Sequence, residues 1–137
     1  MPLIDDDAGL RGILTAARVI AVVGLSEKPW RDSYTVTEYM HRRGYRIIPV
    51  NPHVSEVFGI PAVDSLDWIS EKPDIVNIFR RSQHIPAIVE SAIHMGAGTV
   101  WLQSGIVHED AAGRASAAGL NVVMDRCIRV AHTLLVR

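Results

Sequence analysis

Residues 18–34 read RVIAVVGLSEKPWRDSY, and this stretch decides the fold. Its first part, from Arg18 to Gly24, is a continuous apolar run rich in β-branched residues and closed by a glycine. Such a run predicts a strand that is covered on both faces, as in a parallel sheet. Ser33 is a typical N-cap residue, so we expect the next helix to begin there. The stretch therefore predicts a strand, a turn at Gly24 and a helix.

The same alternation continues on both sides of this stretch. Apolar runs predict further strands at 45–50, 74–79, 99–102 and 120–124, and helical spacing predicts helices after 5–7, at 85–95, at 108–118 and from 128 onwards. The helix at 108–118 has small and polar residues typical of an exposed helix, and a short helical turn is expected at 65–69. Because the connections have βα spacing, the chain predicts a Rossmann-like α/β domain over residues 1–137. We expect a doubly wound parallel five-stranded sheet with helices on both faces, in the order 3-2-1-4-5.

The composition and net charge exclude several classes of protein. A chain of 137 residues with 48% hydrophobic and 21% charged residues is typical of one globular domain and not of a disordered one. A net charge of −1 gives no basic face for nucleic acid. No apolar run approaches the roughly 18 residues of a membrane span, and the acidic start is unlike a signal peptide. We expect a cytoplasmic protein without internal disulfides, since Cys127 is the single cysteine, and general frequencies favour a homodimer among assemblies.

The loop after the first strand is the candidate ligand site. In open α/β sheets ligands bind outside the carboxyl ends of the strands, where backbone N–H groups and a helix N-terminus attract an anion. Ser26 and Ser33 add hydroxyl groups, and Lys28 and Arg31 add positive charge. Eight residues separate Gly24 from Ser33, whereas most βα loops have about 2–6 residues. The loop therefore favours phosphate binding, against the alternative of a solvated connection without a ligand.

Two features of an NAD site are missing. The next glycine after Gly24 is Gly44, so the loop lacks the G-x-G-x-x-G pattern. The second strand ends in Val50-Asn51-Pro52, without the acidic residue that would hold an NAD ribose. The sequence therefore disfavours NAD.

Five segments at the predicted strand ends carry a resemblance. GLSEKPWRDSY at 24–34, IIPVNP at 47–52, FRR at 79–81, WLQSG at 101–105 and VMDRC at 123–127 resemble the CoA-binding-domain proteins. That family consists of small stand-alone relatives of the CoA-binding domain in succinyl-CoA synthetase α subunits and NDP-forming acyl-CoA synthetases. The resemblance implies coenzyme A as the ligand, alone or as an acyl-CoA. It implies contacts to the diphosphate from Gly24, Ser26, Arg31, Ser33 and Tyr34, to the adenosine from Val50, Asn51 and Pro52, to the pantetheine side or the phosphates from Phe79, Arg80 and Arg81, and closure of the pocket by Gln103 and Gly105.

Two departures from the family pattern shape the functional hypothesis. His53 stands where the related synthetases tend to have a lysine, and we expect this chain to lack the further domain that carries their phosphorylated histidine, and with it the ligase reaction. No nucleophile–base pair or paired carboxylates converge on the strand ends, so we expect a CoA-binding protein without catalytic machinery of its own. The alternatives are a CoA-binding subunit of a multi-chain acyl-CoA ligase, or a sensor of another nucleotide such as NADP that uses Arg80 and Arg81.

The remaining candidates have weaker patterns. The six histidines lack metal-ligand spacing, and we expect them at the surface or half buried. Cys127 fits either a small buried residue or a functional thiol, and Asp125 with Arg126 fits either a local ion pair or ligand contacts. We expect the tryptophans in or covering the core, except Trp30, whose ring has a position from which it could lie over a bound nucleotide.

Overall fold

The β-branched run of the first strand lies inside a parallel sheet. The structure is a computed structural model that describes residues 3–136. Along the chain the elements are α1 (Asp7–Ala16), β1 (Val19–Val23), α2 (Asp32–Arg42), β2 (Arg46–Val50), β3 (Glu56–Val57), β4 (Ile60–Pro61), β5 (Ile75–Ile78), α3 (Ile85–Met95), β6 (Thr99–Leu102), α4 (Glu109–Ala117), β7 (Asn121–Val123) and α5 (Ile128–Leu135). Short 3-10 turns lie at Leu66–Trp68 and Ser82–His84. The predicted Rossmann-like α/β fold is confirmed.

The main sheet has five parallel strands in the order β2-β1-β5-β6-β7, and β3 and β4 form a separate antiparallel hairpin. Counting the sheet strands along the chain, the order is 2-1-3-4-5, so the predicted order 3-2-1-4-5 is wrong. On the outer side of β2, a single residue pairs with the strand. Val63 bridges Val50 in parallel, and its N–H donates to the carbonyl oxygen of Pro49 at 3.0 Å. A single bridge leaves no periodic pattern in the sequence, and the apolar run of β5 is therefore the third strand that the sequence predicts.

Helices cover both faces of the sheet. On one face, α1, α2 and α5 bury Leu10, Val36 and Ile128 in one apolar cluster with alternate strand residues such as Ile20 and Trp101. On the other face, α3 and α4 pack on the remaining strand positions, in a second cluster. The expectation that α4 is exposed is wrong, because its small alanines allow close packing, and Ala111, Ala112 and Ala115 are buried against the sheet.

Local signals explain where the helices begin and end. The Asp6 side chain caps α1 by accepting from the Gly9 N–H at 3.3 Å, and α3 ends at Gly96 in the left-handed conformation with φ of 77°. The expectation that Ser33 caps α2 is wrong: Arg31 stands at the N-cap, and Ser33 lies inside the first turn. Within residues 3–136, no helix is both long and apolar enough to cross a bilayer.

Candidate functional site

The candidate site follows from the order of the strands. From β1 the chain moves outward to β2, and it then returns across the sheet to β5 on the other side of β1. The carboxyl ends of β1 and β5 therefore flank a topological switch point, where the loops diverge and leave a crevice. Gly24 follows β1 and Phe79 follows β5, so the two residues meet at this crevice.

Gly24 brings bare backbone to the crevice. Its φ is +86°, a left-handed conformation that favours glycine, and its N–H donates to the Val50 carbonyl oxygen at 2.9 Å. A Cβ at this position would lie 3.0 Å from the Phe79 carbonyl oxygen and 3.0 Å from Cδ of Arg80. A Cβ would therefore be tightly crowded against the backbone of the neighbouring strand end, and the glycine avoids this contact.

The loop from Gly24 to α2 is held by its own hydroxyl groups. The Ser26 N–H donates to Oγ of Ser33 at 3.0 Å, and the Lys28 N–H donates to Oγ of Ser26 at 3.0 Å. Both serine oxygens thus accept hydrogen bonds from the loop, while Arg31 provides no side-chain cap for α2. The helix N-terminus consequently offers backbone N–H groups toward the loop, with the carboxylate of Asp32 as the acidic group of its first turn.

A cavity of about 560 Å³ lies in this loop, and we call it the Gly24 cavity. It is lined by Gly24, Ser26, Lys28, Trp30, Arg31, Asp32, Ser33 and Phe79. Within residues 3–136 the side chain of Arg31 has no hydrogen bond or ion pair, and the Lys28 ammonium lies 5.9 Å from the Trp30 ring centroid. Two cations and one carboxylate surround the cavity, so its charge suits an anion.

A second cavity, of about 370 Å³, lies on the α3 side of Gly24, and we call it the Val50 cavity. It is lined by Val23, Val50, Pro52, Asp64, Ser65, Leu66, Asp67, Arg80, Gln83, His84, Ala87, Ile88 and Ser91. Its wall combines apolar strand and helix residues with two carboxylates and the single guanidinium of Arg80. Gly24 lines the first cavity and Arg80 the second, and Cδ of Arg80 would lie 3.0 Å from a Cβ on Gly24, so the two cavities adjoin at these residues.

Asn51 joins the loops that follow β1 and β2. Its Nδ2 donates to the Leu25 carbonyl oxygen at 3.0 Å, and its Oδ1 accepts from the His53 N–H at 2.9 Å. The amide is thus engaged within the protein, and its neighbours Val50 and Pro52 line the Val50 cavity instead. Asn51 shapes the site by fixing the turn.

A buried amide pair lies beneath the same edge of the sheet, and Asn77, one of its two members, was not among the predicted site residues. Gln103 Nε2 donates to Asn77 Oδ1 at 2.7 Å, and both side chains are almost fully buried. The pairing of an amide in β5 with an amide just after β6 satisfies polar atoms that would otherwise be costly to bury. The available signal was an asparagine inside the apolar run at 74–79.

The structure does not bring every predicted site residue to the cavities. Tyr34 packs against Phe58, with ring centroids 4.8 Å apart, and it lines neither cavity. Arg81 is exposed at the start of a 3-10 turn, and Gln103 and Gly105 likewise line neither cavity. The residues that do line them are Gly24, Ser26, Arg31, Ser33 and Phe79 in the Gly24 cavity, and Val50, Pro52 and Arg80 in the Val50 cavity.

The loop after β7 forms contacts within the protein. Asp125, at a φ of +60°, accepts from the Gly105 N–H at 2.6 Å, and Arg126 Nη2 donates to the Asp5 carbonyl oxygen at 3.1 Å. The predicted alternative of an Asp125–Arg126 ion pair is wrong, since each charge has a different partner. Cys127 is half buried and free.

Groups with perturbed titration lie elsewhere in the molecule. Burial, and to a lesser extent the charge of Arg43, lowers the pKa of His132, and burial raises the pKa of the Tyr45 phenol, with Tyr39 as the smaller cause. His132 is buried, contrary to the expectation for the histidines, because its Nδ1 lies 3.0 Å from the Tyr39 hydroxyl between α2 and α5. Within residues 3–136, no group of three or more histidine, cysteine or acidic side chains is placed to hold a metal ion. The cavities thus offer hydrogen bonds and charge for binding.

Comparisons with known proteins match almost the whole chain. A family model described as "CoA binding domain" matches residues 18–133. The uncharacterized protein YneT of Bacillus subtilis is 44% identical over 127 residues, which is 93% of this chain and 94% of YneT. A hypothetical protein from Pyrococcus horikoshii OT3 has a similar solved structure, with 36% identity and a TM-score of 0.94 over 100% of this chain and 98% of that one.

A larger protein contains the same fold as one part. The dinucleotide forming acetyl-coenzyme A synthetase 1 of Ca. Korarchaeum cryptofilum matches with a TM-score of 0.66 and 20% identity. The match covers 76% of this chain but 25% of the synthetase. At this identity the likeness concerns the fold alone.

Proposed function

This chain belongs to the CoA binding domain family, and from that membership we propose that it binds coenzyme A or an acyl-CoA at the carboxyl edge of its sheet. The main observation in support of the proposal is the turn at Gly24, which follows β1. Bare backbone, the α2 N-terminus and the guanidinium of Arg31, which has no partner among the residues that the structure describes, converge there on one cavity. A diphosphate needs this combination of N–H donors, positive charge and close approach.

The ligand is proposed to lie across the Gly24 turn. Its diphosphate contacts Gly24, Ser26, Arg31 and Ser33, and its adenosine lies in the Val50 cavity beside Val50 and Pro52, on the turn that Asn51 fixes. The pantetheine leaves on the side of Phe79, and Arg80 lies between the two halves, next to the phosphates. Arg81 contributes positive charge near the ligand without contacting it. Gln103, bonded to Asn77, and Gly105, bonded to Asp125, hold the neighbouring strand ends in place. Tyr34 supports α2 through its contact with Phe58.

The residues at the end of β2 favour CoA over NAD as the ligand. A hydroxyl-bearing NAD ribose is held by an acidic side chain at this point, whereas Asn51 stands here with its amide engaged by Leu25 and His53. Asp64 and Asp67 line the Val50 cavity on either side of Ser65 and Leu66, and Asp64 directly follows Val63, which bridges Val50. The 3′-phosphate of CoA is accordingly expected on the outer, Pro52 side of this cavity.

The proposal concerns binding, and the cytoplasm is proposed as the compartment. Cys127, the single cysteine, is a free thiol, which suits a reducing environment. No catalytic role is assigned to any side chain of either cavity.

Calorimetry with a panel of CoA, acetyl-CoA, NAD, NADP and ATP tests the proposal. We expect heat of binding and thermal stabilisation with CoA and acetyl-CoA, and at most weak effects with the other three. Stabilisation grows with ligand concentration by mass action, so a series of CoA concentrations gives a rising Tm. Absence of binding by both CoA species would overturn the proposal, and selective binding of NADP would replace CoA with a different phosphorylated nucleotide.

A further inference from the structure

Trp30 is an unusual component of the Gly24 cavity. Its side chain is 74% exposed, although it lines a cavity whose other walls are mostly polar. Its backbone is held in place, because the Lys28 N–H donates to Ser26 and the Arg31 N–H donates to the Lys28 carbonyl oxygen at 3.1 Å. The indole is therefore presented at the mouth of the cavity by a fixed turn.

Exposure alone does not distinguish this residue. Trp68 is also 74% exposed, but it lines a different cavity at the outer side of β2, together with Arg46 and Glu71. Trp30 differs because Arg31, Ser33 and the second aromatic residue, the half-buried Phe79, share its cavity. The Gly24 cavity thus places two aromatic surfaces next to the groups that suit a phosphate.

The chemistry of CoA explains such a pairing. One side of its diphosphate carries the adenosine, and the other side carries a pantoyl unit with two methyl groups, one methylene from the phosphate ester. If the adenosine lies in the Val50 cavity, the pantoyl unit leaves into the Gly24 cavity. Methyl groups and methylenes gain from contact with an aromatic face, whereas the polar walls of this cavity offer them nothing comparable.

We propose that Trp30 covers the pantetheine arm of the bound ligand, with Phe79 as the opposite wall. This inference rests on the proposed CoA-binding function and adds a residue that distinguishes CoA from nucleotides without a pantetheine arm. Trp30 loses its exposure to water only when that arm is present. The Lys28 ammonium, near the ring, stays next to the adjoining phosphate.

Acrylamide quenching of tryptophan fluorescence tests the contact directly. In the variant Trp68→Phe, the quenchable emission comes from Trp30, because Trp101 is 0% exposed. We expect saturating CoA to reduce this quenching by roughly twofold, as burial of most of the indole surface implies. Adenosine 3′-phosphate 5′-diphosphate, which has the same nucleotide and diphosphate without pantetheine, is expected to leave the quenching unchanged at saturation.

Affinities of variants give a second readout. Trp30→Ala is expected to weaken CoA binding about tenfold, the effect of removing a packed aromatic contact, and to leave the affinity for adenosine 3′-phosphate 5′-diphosphate unchanged. Trp30→Phe should restore most of the CoA affinity, and the matched control Trp68→Ala should retain all of it.

The possible results separate the inference from the function. CoA binding without protection of Trp30 overturns the inference and leaves the proposed function intact. Equal protection by the nucleotide without pantetheine also overturns it, because the indole then stacks on the base. Absence of CoA binding in calorimetry overturns the proposed function, and the inference with it.

Discussion

Two loops at the same edge of the sheet use their charged residues in opposite ways. In the loop after β7, Asp125 accepts from Gly105, Arg126 donates to Asp5, and the Arg126 carbonyl oxygen accepts from Trp101 Nε1 at 2.9 Å. In the loop after β1, hydroxyl groups hold the backbone, and the Arg31 side chain has no partner within residues 3–136. Charge in a loop therefore indicates a binding site only where the fold leaves it unpaired.

The strongest test of the comparison changes Gly24. Gly24→Ala is expected to reduce CoA affinity by more than about tenfold and to cost about 1–3 kcal/mol of stability, since the residue has a positive φ and an added Cβ would lie 3.0 Å from the Phe79 carbonyl oxygen. Gly44→Ala is the matched control, with φ of +96° and nothing within 4 Å of an added Cβ. Calorimetry and thermal unfolding should show that both variants lose stability and that Gly24→Ala alone loses binding. Equal CoA affinity in the two variants would contradict the role of the Gly24 turn.

Two arginines sharpen the comparison. Arg31→Ala is expected to weaken CoA binding by about 1–3 kcal/mol, because a charge-assisted phosphate contact is lost, and to leave the unfolding midpoint in urea unchanged. Arg126→Ala should do the reverse, with a loss of stability of up to about 1 kcal/mol through its bond to Asp5 and no change in affinity. If Arg126→Ala weakened CoA binding as much as Arg31→Ala, the distinction between the loops would fail.

Ser33 tests the hydroxyl bonds that hold the open loop. Ser33→Ala removes the acceptor of the Ser26 N–H, and we expect a loss of about 0.5–1.5 kcal/mol in stability and a weaker CoA affinity. Thr35→Ala, in the same helical turn, removes a hydroxyl that donates to the backbone carbonyl oxygen of Asp32 at 3.2 Å, and it should leave the CoA affinity unchanged. Hydrogen exchange at Ser26 measures the effect directly: unchanged protection in Ser33→Ala would show that the bond does not order the loop.

The smallest expected effect is a pH dependence of stability that comes from His132, which lies away from both loops. The pKa of His132 is lowered in the folded state, so the unfolded chain binds a proton first as the pH falls below the ordinary value of 6.5. The contribution of His132 to stability is therefore complete above pH 6.5 and is lost toward acid. His132→Gln should flatten the fall in urea midpoint between about pH 7 and 5, whereas His94→Gln, an exposed control, should follow the wild type. Parallel curves for all three proteins would contradict this assignment.

Much of the fold was predictable because its signals are local. The β-branched runs at 19–23 and 75–78 and the glycines at helix ends identify the elements without any knowledge of their neighbours. The strand order was not predictable, because it depends on Val63, a single residue whose pairing with Val50 no periodicity reveals. Local patterns define the segments, and long-range pairing decides their arrangement.

The location of the candidate site was predictable from the sequence, but the partners of its side chains were not. Loop length, glycine and charge identified the Gly24 loop, but they could not show that Arg31 takes the cap position and that Ser33 accepts from Ser26. Tyr34 was assigned by its position in the motif, whereas its orientation depends on Phe58 in a hairpin far along the chain. The Asn77–Gln103 pair needed knowledge of which strands are adjacent.

The Val63 bridge covers the end of an outer strand of the sheet. An open sheet exposes unpaired N–H and C=O groups along its outer strands, and these can recruit the strand of another molecule and start aggregation. Here Val63 occupies the end of β2, next to Pro49, which has no N–H to offer. At the opposite side, the Ile4 N–H donates to the Val122 carbonyl oxygen of β7 at 2.8 Å. Both outer strands of the sheet are thus partly paired within the protein, which leaves less of each strand open to addition of a strand from another molecule.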